Sequence, residues 1–431
     1  MSELNSSQIE FKNGDRFWLL VGSDGLPDFD STLFLASKYQ EGNAANTLKN
    51  VANAVRVVKR FESKRSIDIK QRLGEGRILS RSEITKLVAD CGRPLGEIKK
   101  AKSSGNVLPF RKKKVNSEDP SLAPNTQRRR AFYAAQYISF LVDEVTDKLR
   151  FDDLRKLSLE AALKKFNDMV EKLAPEQEGP NFDPERPLTQ DATKKIKALT
   201  SGNQAEIAAQ LFKQPKTRKR NLLIIELFLA SGVRTSELAR LRTDDIDQDS
   251  LTINFRRHKS ESRTDIRKNR PGFKTRERPI RIDVDLMRRL VDYISAREGG
   301  RPRKAKHKYV FCANGISAKA ISLSSIYRII RSLENAFGDG WRKRITPHVL
   351  RHTFFDIWFR EANARYDFRN NPNLFDQVIA AAELTGGWRP DSKMINHYKQ
   401  RYVFEQASEI TLRTQKRMSK SIKGDDEDVP Y

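Results

Sequence analysis

The chain has 431 residues, which at roughly 100–200 residues per domain predicts two or three domains with substantial cores and excludes a small stapled scaffold. Two cysteines, Cys91 and Cys312, lie far apart, so neither a disulfide framework nor a cysteine-rich zinc site is supported, and a reducing compartment fits. Lysine and arginine number 82 against 56 acidic residues, a net charge of +26. So large an excess opposes compaction unless a polyanion shares the surface, and nucleic acid is the leading partner.

In chain order, the start MSELNSSQIEFK has neither a basic nor an apolar signal region, and the longest apolar stretch, Leu222 to Ala230, is interrupted by Glu226. The expectation is a soluble, unexported, cytoplasmic protein with no membrane partner. Residues 1–30 show weak periodicity and are expected to form an N-terminal extension of unassigned role. Leu48, Val51, Val55 and Val58 then recur at helical spacing. Ser80 and Glu83 have the spacing of a capping box ahead of a short helix bearing Ile84, Leu87 and Val88. Residues 99–125 turn polar and irregular and read as a basic linker.

A second helical group comes next, with Phe132, Ala135, Ile138, Leu141, Val142 and Val145 on one side, and SLEAALKKFNDMVEKL repeats the pattern. Residues 31–175 are therefore expected to be an all-helical domain. APEQEGPNFDPERPL holds four prolines and no apolar period, which predicts a domain boundary at 174–188. Beyond it, helix signals lead to a change of period at SLTINFRRH and again at ERPIRIDV, where apolar residues alternate two apart and two strands are expected. From Arg256 to Arg281, eleven Lys or Arg stand against three acids, a net +8. No core needs that density, so the segment is expected to face phosphate. The remainder is helical as far as 412, and residues 413–431, with their acidic end, are expected to be a disordered tail. The basic runs Arg111 to Lys114, Arg128 to Arg130 and Lys216 to Arg220 are further candidates for phosphate contacts.

Three separated stretches carry residues that make chemical sense together: GVRTSEL at 232–238, HVLRHTF at 348–354 and GGWRPDSKMINHY at 386–398. A phosphodiester gains a second negative charge on nucleophilic attack, so two guanidinium groups on its non-bridging oxygens, here Arg234 and Arg351, stabilise the transition state more than the ground state. Pro347 suits the first turn of a helix after Thr346, so His348 and Arg351 share one face, and His348 suits a hydrogen bond to phosphate or a proton shuttle. His348 and His352 also have the spacing of a metal pair, but His-Glu-x-x-His and a third ligand are missing. There is no G-x-x-x-x-G-K-[ST] loop and no acidic cluster for divalent ions, so no cofactor is expected.

The ordered set of Arg, a Lys between strands, His-x-x-Arg-His and a terminal Tyr resembles the tyrosine recombinases, or phage-type integrases. It covers roughly residues 188–410, and more loosely the helical region before them. The resemblance implies a mainly α protein: a helical core-DNA-binding domain over 31–175, joined to a mostly helical catalytic domain with a small antiparallel sheet over 188–412, the two forming a C-shaped clamp on duplex DNA. It implies that Glu237 supports the site, that His352 is a packed supporting residue, and that Trp388 donates its indole N–H to the scissile phosphate. Lys274, in the context K-T-x-x-R, is the expected general acid, with Lys259 the alternative. Tyr398 is the expected nucleophile, one residue later than the family spacing, with Tyr402 as fallback.

The resemblance further implies a site-specific recombinase or integrase of a mobile element, bacterial or phage-encoded and nucleoid-associated. It would act through a 3′-phosphotyrosyl intermediate and a Holliday junction as a tetramer on two double-stranded DNA sites, with accessory directionality proteins as further partners. A type IB topoisomerase shares the catalytic residues. A non-catalytic regulator is the other alternative, because GVRTSELARLRTDDI also reads as a helix-turn-helix.

Overall fold

The structure is a computed structural model. It describes residues 4–12, 15–95, 121–150, 152–176, 183, 186–258, 265, 267, 270–299, 307–313, 319–337, 344–366, 372–390, 392, 395–398 and 400–424. Two compact units divide it, Met1–Gly179 and Pro180–Tyr431. No helix among the described residues is long and apolar enough to cross a membrane.

The first unit opens with a hairpin, β1 (Asn5–Glu10) and β2 (Arg16–Val21), paired in register from Asn5 with Val21 to Glu10 with Arg16. The weak periodicity of residues 1–30 predicts no element here. Phe17 and Leu20 of β2 are buried but stand three apart, so β2 shows no strict alternation, and the outer strand, NSSQIE, is too polar to show a period of its own. Helices α1 (Phe29–Gln40), α2 (Ala45–Arg65), α3 (Ile69–Gly74), α4 (Arg81–Cys91), α5 (Pro124–Thr146) and α6 (Leu154–Leu173) complete it. In α2 the predicted Leu48, Val51, Val55 and Val58 are all fully buried, and α2 packs against α5 through Ala134, Ile138 and Leu141 among others. The predicted capping box opens α4, the Glu83 carboxylate accepting the Ser80 N–H at 2.8 Å. Residues 96–120, most of the predicted linker, lie outside the described residues, and α5 already begins at Pro124.

In the second unit α7 (Gln190–Thr200), α8 (Ala205–Leu211), α11 (Val284–Gly299), α12 (Leu323–Phe337) and α13 (Pro347–Arg365) pack around α9 (Pro215–Ser231). From Leu222 onward α9 is apolar on nearly every side because this half is the centre of the layer, with Leu223, Ile224, Ile225, Leu227 and Phe228 all buried. Between α9 and α11 lie the short α10 (Thr235–Arg240) and a three-stranded antiparallel sheet, β3 (Ile246–Asp247), β4 (Thr252–Phe255) and β5 (Arg278–Arg281). The two predicted strands pair in register, Ile253 opposite Ile280 and Phe255 opposite Arg278, and β3, only two residues long, carries too little pattern to be foreseen.

After α14 (Pro372–Gly386) and α15 (Ile395–Tyr398), α16 runs from Gln400 to Gly424. This corrects the expected disorder from residue 413: TLRTQKRMSKSIK lacks Pro and Gly, is rich in helix formers, and gains an Arg413–Glu409 pair one turn apart. Only 425–431 lie outside the described residues.

A candidate active site around a buried arginine

Arg234, Arg351 and the turn at Gly386–Gly387 meet in the second unit. α9 ends at Gly232 in the left-handed region, φ 57°, which reverses the chain so that Arg234 becomes the residue before α10. A Cβ on Gly232 would overlap the Phe354 ring of α13. Gly232→Ala is accordingly expected to lower unfolding free energy by about 1–3 kcal/mol, from positive φ together with the overlap; urea unfolding compared with wild type checks this.

Arg351 lies on α13, whose start is as the sequence predicts: Thr346 accepts the Val349 N–H at 3.3 Å and Pro347 occupies the first turn. The side chain is 1% exposed. It donates to the Gly232 carbonyl and, at 2.9 Å, to the Gly386 carbonyl, while Arg234 reaches the same Gly386 oxygen at 3.4 Å. The two guanidinium groups are therefore brought to one carbonyl. Trp388, 4% exposed, packs against Phe355 with the rings tilted by 38° and their centroids 4.8 Å apart, and the Arg351 guanidinium lies 5.0 Å from its ring.

Beneath Arg234 sits a buried ion pair. The Glu237 carboxylate accepts the Arg234 backbone N–H at 2.8 Å and takes both ends of the Arg278 fork at 2.9 and 3.1 Å; the Thr275 hydroxyl donates to it as well. Arg278 also holds the Thr385 carbonyl at 2.7 Å, and the Arg276 N–H holds the Gly387 carbonyl at 3.0 Å, so β5 is stitched to the end of α14. At Gly387, φ 64°, a Cβ would sit 2.6 Å from the Arg278 Nη1, which leaves glycine as the residue that fits. Burial would raise the Glu237 carboxyl, but the Arg278 hydrogen bonds and charge, with Arg351 and Thr275, outweigh it and hold the carboxyl below its ordinary value.

Because its folded value is depressed, Glu237 contributes stability that is present above the ordinary carboxylate range and is lost as pH falls through the depressed value. Glu237→Gln is expected to cost about 3–5 kcal/mol at pH 7 by leaving Arg278 without its counter-charge. It should also remove part of the acid-induced loss of stability seen in wild type; urea unfolding at neutral and acidic pH measures both.

An open cleft of about 840 Å³ lies above this floor, lined by Arg234, Arg257, Lys274, Thr275, Arg276, Glu277, Gly387, Trp388, Arg389, Pro390 and Ser392. Five cationic side chains face a single acid there, a field suited to a phosphate chain. Of the predicted site residues, Arg234, Lys274 and Trp388 line the cleft and Lys274 is exposed in it, while Arg351 and Glu237 lie in its floor. His352 is buried, 1% exposed, with its ring 4.7 Å from that of His348 on the exposed side of α13; His348 is not among the described residues lining the cleft. Tyr398 ends α15, which packs against α13, α14 and α16 with Ile395 buried beside Trp388. The Tyr398 and Tyr402 side chains and all of Lys259 lie outside the described residues.

Arg278 and Thr275, singled out in the sequence only as the context K-T-x-x-R of Lys274, join the site themselves. The signal is present for the first: in ERPIRIDV, Arg278 has the same parity as Ile280 and Ile282, so the alternation turns its charge inward, where it needs an acid. The basic density also overstates the free charge. Arg256 pairs with Asp245, Arg267 with Asp265 and Arg278 with Glu237. In the helical runs, Arg128, Arg130, Arg218 and Arg220 donate to backbone carbonyls, which leaves Arg129, Lys216 and Lys219 as their exposed members; residues 111–114 lie outside the described residues. α10 is six residues long with Glu237, Leu238 and Ala239 buried, so GVRTSELARLRTDDI does not form a helix-turn-helix with an exposed recognition helix.

Fold and site together define a basic cleft on a mostly helical unit, and residues 197–362 match the phage integrase family. Among the relatives, the tyrosine recombinase XerC of Caldanaerobacter subterraneus subsp. tengcongensis is 29% identical over 34% of this chain and 35% of its own length. The tyrosine recombinase XerA of Thermococcus onnurineus is 25% identical over 54% of this chain and 74% of its own. Transposase A from transposon Tn554 of Staphylococcus aureus is 29% identical over 33% of this chain and 37% of its own. The chain thus spans about a third of the length of the first of these. Among solved structures, the Tn1549 transposon integrase in complex with transposon right end DNA aligns over 90% of this chain and 99% of its own, at 16% identity and a TM-score of 0.47.

Proposed function

We propose that this protein is a site-specific tyrosine recombinase that cuts and rejoins duplex DNA through a 3′-phosphotyrosyl intermediate. The observation that carries the reading is the convergence of Arg234 and Arg351 on the Gly386 carbonyl, at the floor of a cleft that Lys274 and Trp388 also line. The Tyr398 phenol oxygen attacks the scissile phosphorus, an O–P bond forms and the P–O5′ bond breaks. Lys274 delivers a proton to the departing O5′, which leaves as a free hydroxyl, and the phenol proton passes to a base, for which His348 is the candidate. Arg234 and Arg351 bind the non-bridging oxygens as charge builds, and Trp388 contributes its indole N–H. The phosphotyrosyl ester retains the energy of the broken bond, so a 5′-hydroxyl from a second duplex reverses the step without ATP.

Strand exchange through a Holliday junction, a tetramer on two sites, accessory directionality proteins, service to a mobile element and action on DNA in the cytoplasm complete the proposal. Recombination and service to a mobile element are supported by the relatives named as Xer recombinases and as a transposase from a transposon. The test is covalent capture: the protein is expressed in bacterial cells carrying a library of fragmented DNA, denatured in detergent, and the DNA attached to it is sequenced. Recovery of a common sequence joined to protein is expected, and it identifies the site. Salt-sensitive DNA binding with no covalent DNA at any site would overturn the reading in favour of a non-catalytic DNA-binding protein. Relaxation of supercoiled DNA without partner exchange would favour a topoisomerase.

A further inference from the structure

The segment 256–277 joining β4 to β5 is too long for a simple hairpin, and its described part is tied down by a buried ion pair. The Asp265 and Arg267 side chains are 5% and 7% exposed. Arg267 Nε and Nη2 donate to the Asp265 carboxylate at 2.8 and 2.6 Å, and its Nη1 donates to the Ala239 carbonyl of α10 at 2.8 Å and the Ile321 carbonyl at 2.9 Å. The guanidinium also lies 4.6 Å over the Tyr309 ring. A lysine cannot reproduce this planar fork.

The clip holds the stretch that leads to Lys274. Arg270 donates to the Asp265 carbonyl at 2.5 Å, and Arg240 of α10 reaches the Pro271 carbonyl at 3.4 Å with its guanidinium 5.4 Å from the Phe273 ring. On the other side of Lys274, the Thr275 hydroxyl donates to Glu237, also on α10. Lys274 is therefore an exposed side chain between the Pro271 carbonyl and the Thr275 hydroxyl, both held by the helix that Arg234 precedes. Lysine has a flexible four-carbon stem, and proton delivery requires hydrogen-bond reach of one oxygen, so a fixed base for that stem matters.

We propose that the Asp265–Arg267 pair positions Lys274, docking the inserted segment on α10 so that the ammonium meets the departing 5′ oxygen. The inference rests on the reading of Lys274 as the general acid. Asp265 and Arg267 are positioning residues and touch no DNA in this role.

The test is single-turnover cleavage, with enzyme in excess, of the duplex recovered by covalent capture, made with either oxygen or sulfur at the bridging 5′ position. When the P–S bond breaks, the electron pair leaves as a thiolate, which is stable near neutral pH without a proton and so needs no general acid. Arg267→Lys and Asp265→Asn are each expected to slow the oxygen substrate about 100-fold and to cleave the sulfur substrate within about threefold of wild type. Asp265→Asn keeps the volume of the native residue, so the experiment stands if Arg267→Lys folds poorly. Lys274→Met separates the two ideas. If it is slow on both substrates, the general-acid reading fails and takes the proposal with it. If sulfur restores Lys274→Met but both clip variants are equally slow on the two substrates, or as fast as wild type on both, the positioning role alone is overturned.

Discussion

Tyr398→Phe is expected to abolish covalent attachment to DNA, a loss on the order of 10⁶-fold in cleavage, as for other covalent nucleophiles. The substitution removes one oxygen and keeps the ring, so binding to the recovered duplex should stay within roughly twofold of wild type. The choice of Tyr398 over Tyr402 rests on the family resemblance, and the backbone is consistent with it. Glu383 is buried and pins the chain between Trp388 and α15 twice: its carbonyl accepts the Trp388 N–H at 2.9 Å and its carboxylate accepts the Ser392 N–H at 3.0 Å. α15 then packs beside Trp388 through Ile395 and ends at Tyr398, whereas Tyr402 belongs to the first turn of α16. A free phenol is only about 0.1% ionised at neutral pH, so the attacking tyrosine needs a neighbouring positive field. Covalent capture with Tyr398→Phe and Tyr402→Phe distinguishes them. Adducts that persist in Tyr398→Phe and vanish in Tyr402→Phe would transfer the role to Tyr402.

The second large effect is expected at Arg351. Arg351→Ala should slow cleavage by about 10²–10³-fold through loss of transition-state charge stabilisation. It should also destabilise the second unit, because the Gly232 and Gly386 carbonyls lose a buried donor at about 1–3 kcal/mol each. The two losses have to be separated. Arg351→Lys keeps the charge but loses the fork, so it is expected to retain much of the stability while still cleaving about 10²-fold more slowly. Single-turnover cleavage and urea unfolding on the same preparations measure both. Wild-type cleavage by a destabilised Arg351→Lys would reduce Arg351 to a structural cation under the cleft.

Much of the fold is legible in one dimension, because a helix or strand packed on one face repeats its apolar residues at a fixed period. That is why α2, α4, α5, β4 and β5 lie where the pattern puts them, and why Pro347 marks the start of α13. The chemistry of phosphate restricts the residue types to those that stabilise charge and deliver a proton, and the family resemblance then points to Arg234, Arg351 and Lys274 among the many basic residues. β1 and β3 are illegible because a polar outer strand and a two-residue strand take their place from the neighbour they pair with.

The amino-acid order by itself determined the helical class, the ordered motifs and the excess of positive charge. Only the tertiary structure decided which of those charges face the cleft and which are neutralised. Arg267 looks no different in sequence from Arg257 and Arg276, and Arg278 differs only in sharing the parity of Ile280 and Ile282, yet Arg267 and Arg278 are buried against Asp265 and Glu237 while Arg257 and Arg276 line the cleft. The physical reason is that a buried guanidinium is stable only where a carboxylate and carbonyl oxygens replace its water, and those partners lie 2 to 107 residues away along the chain.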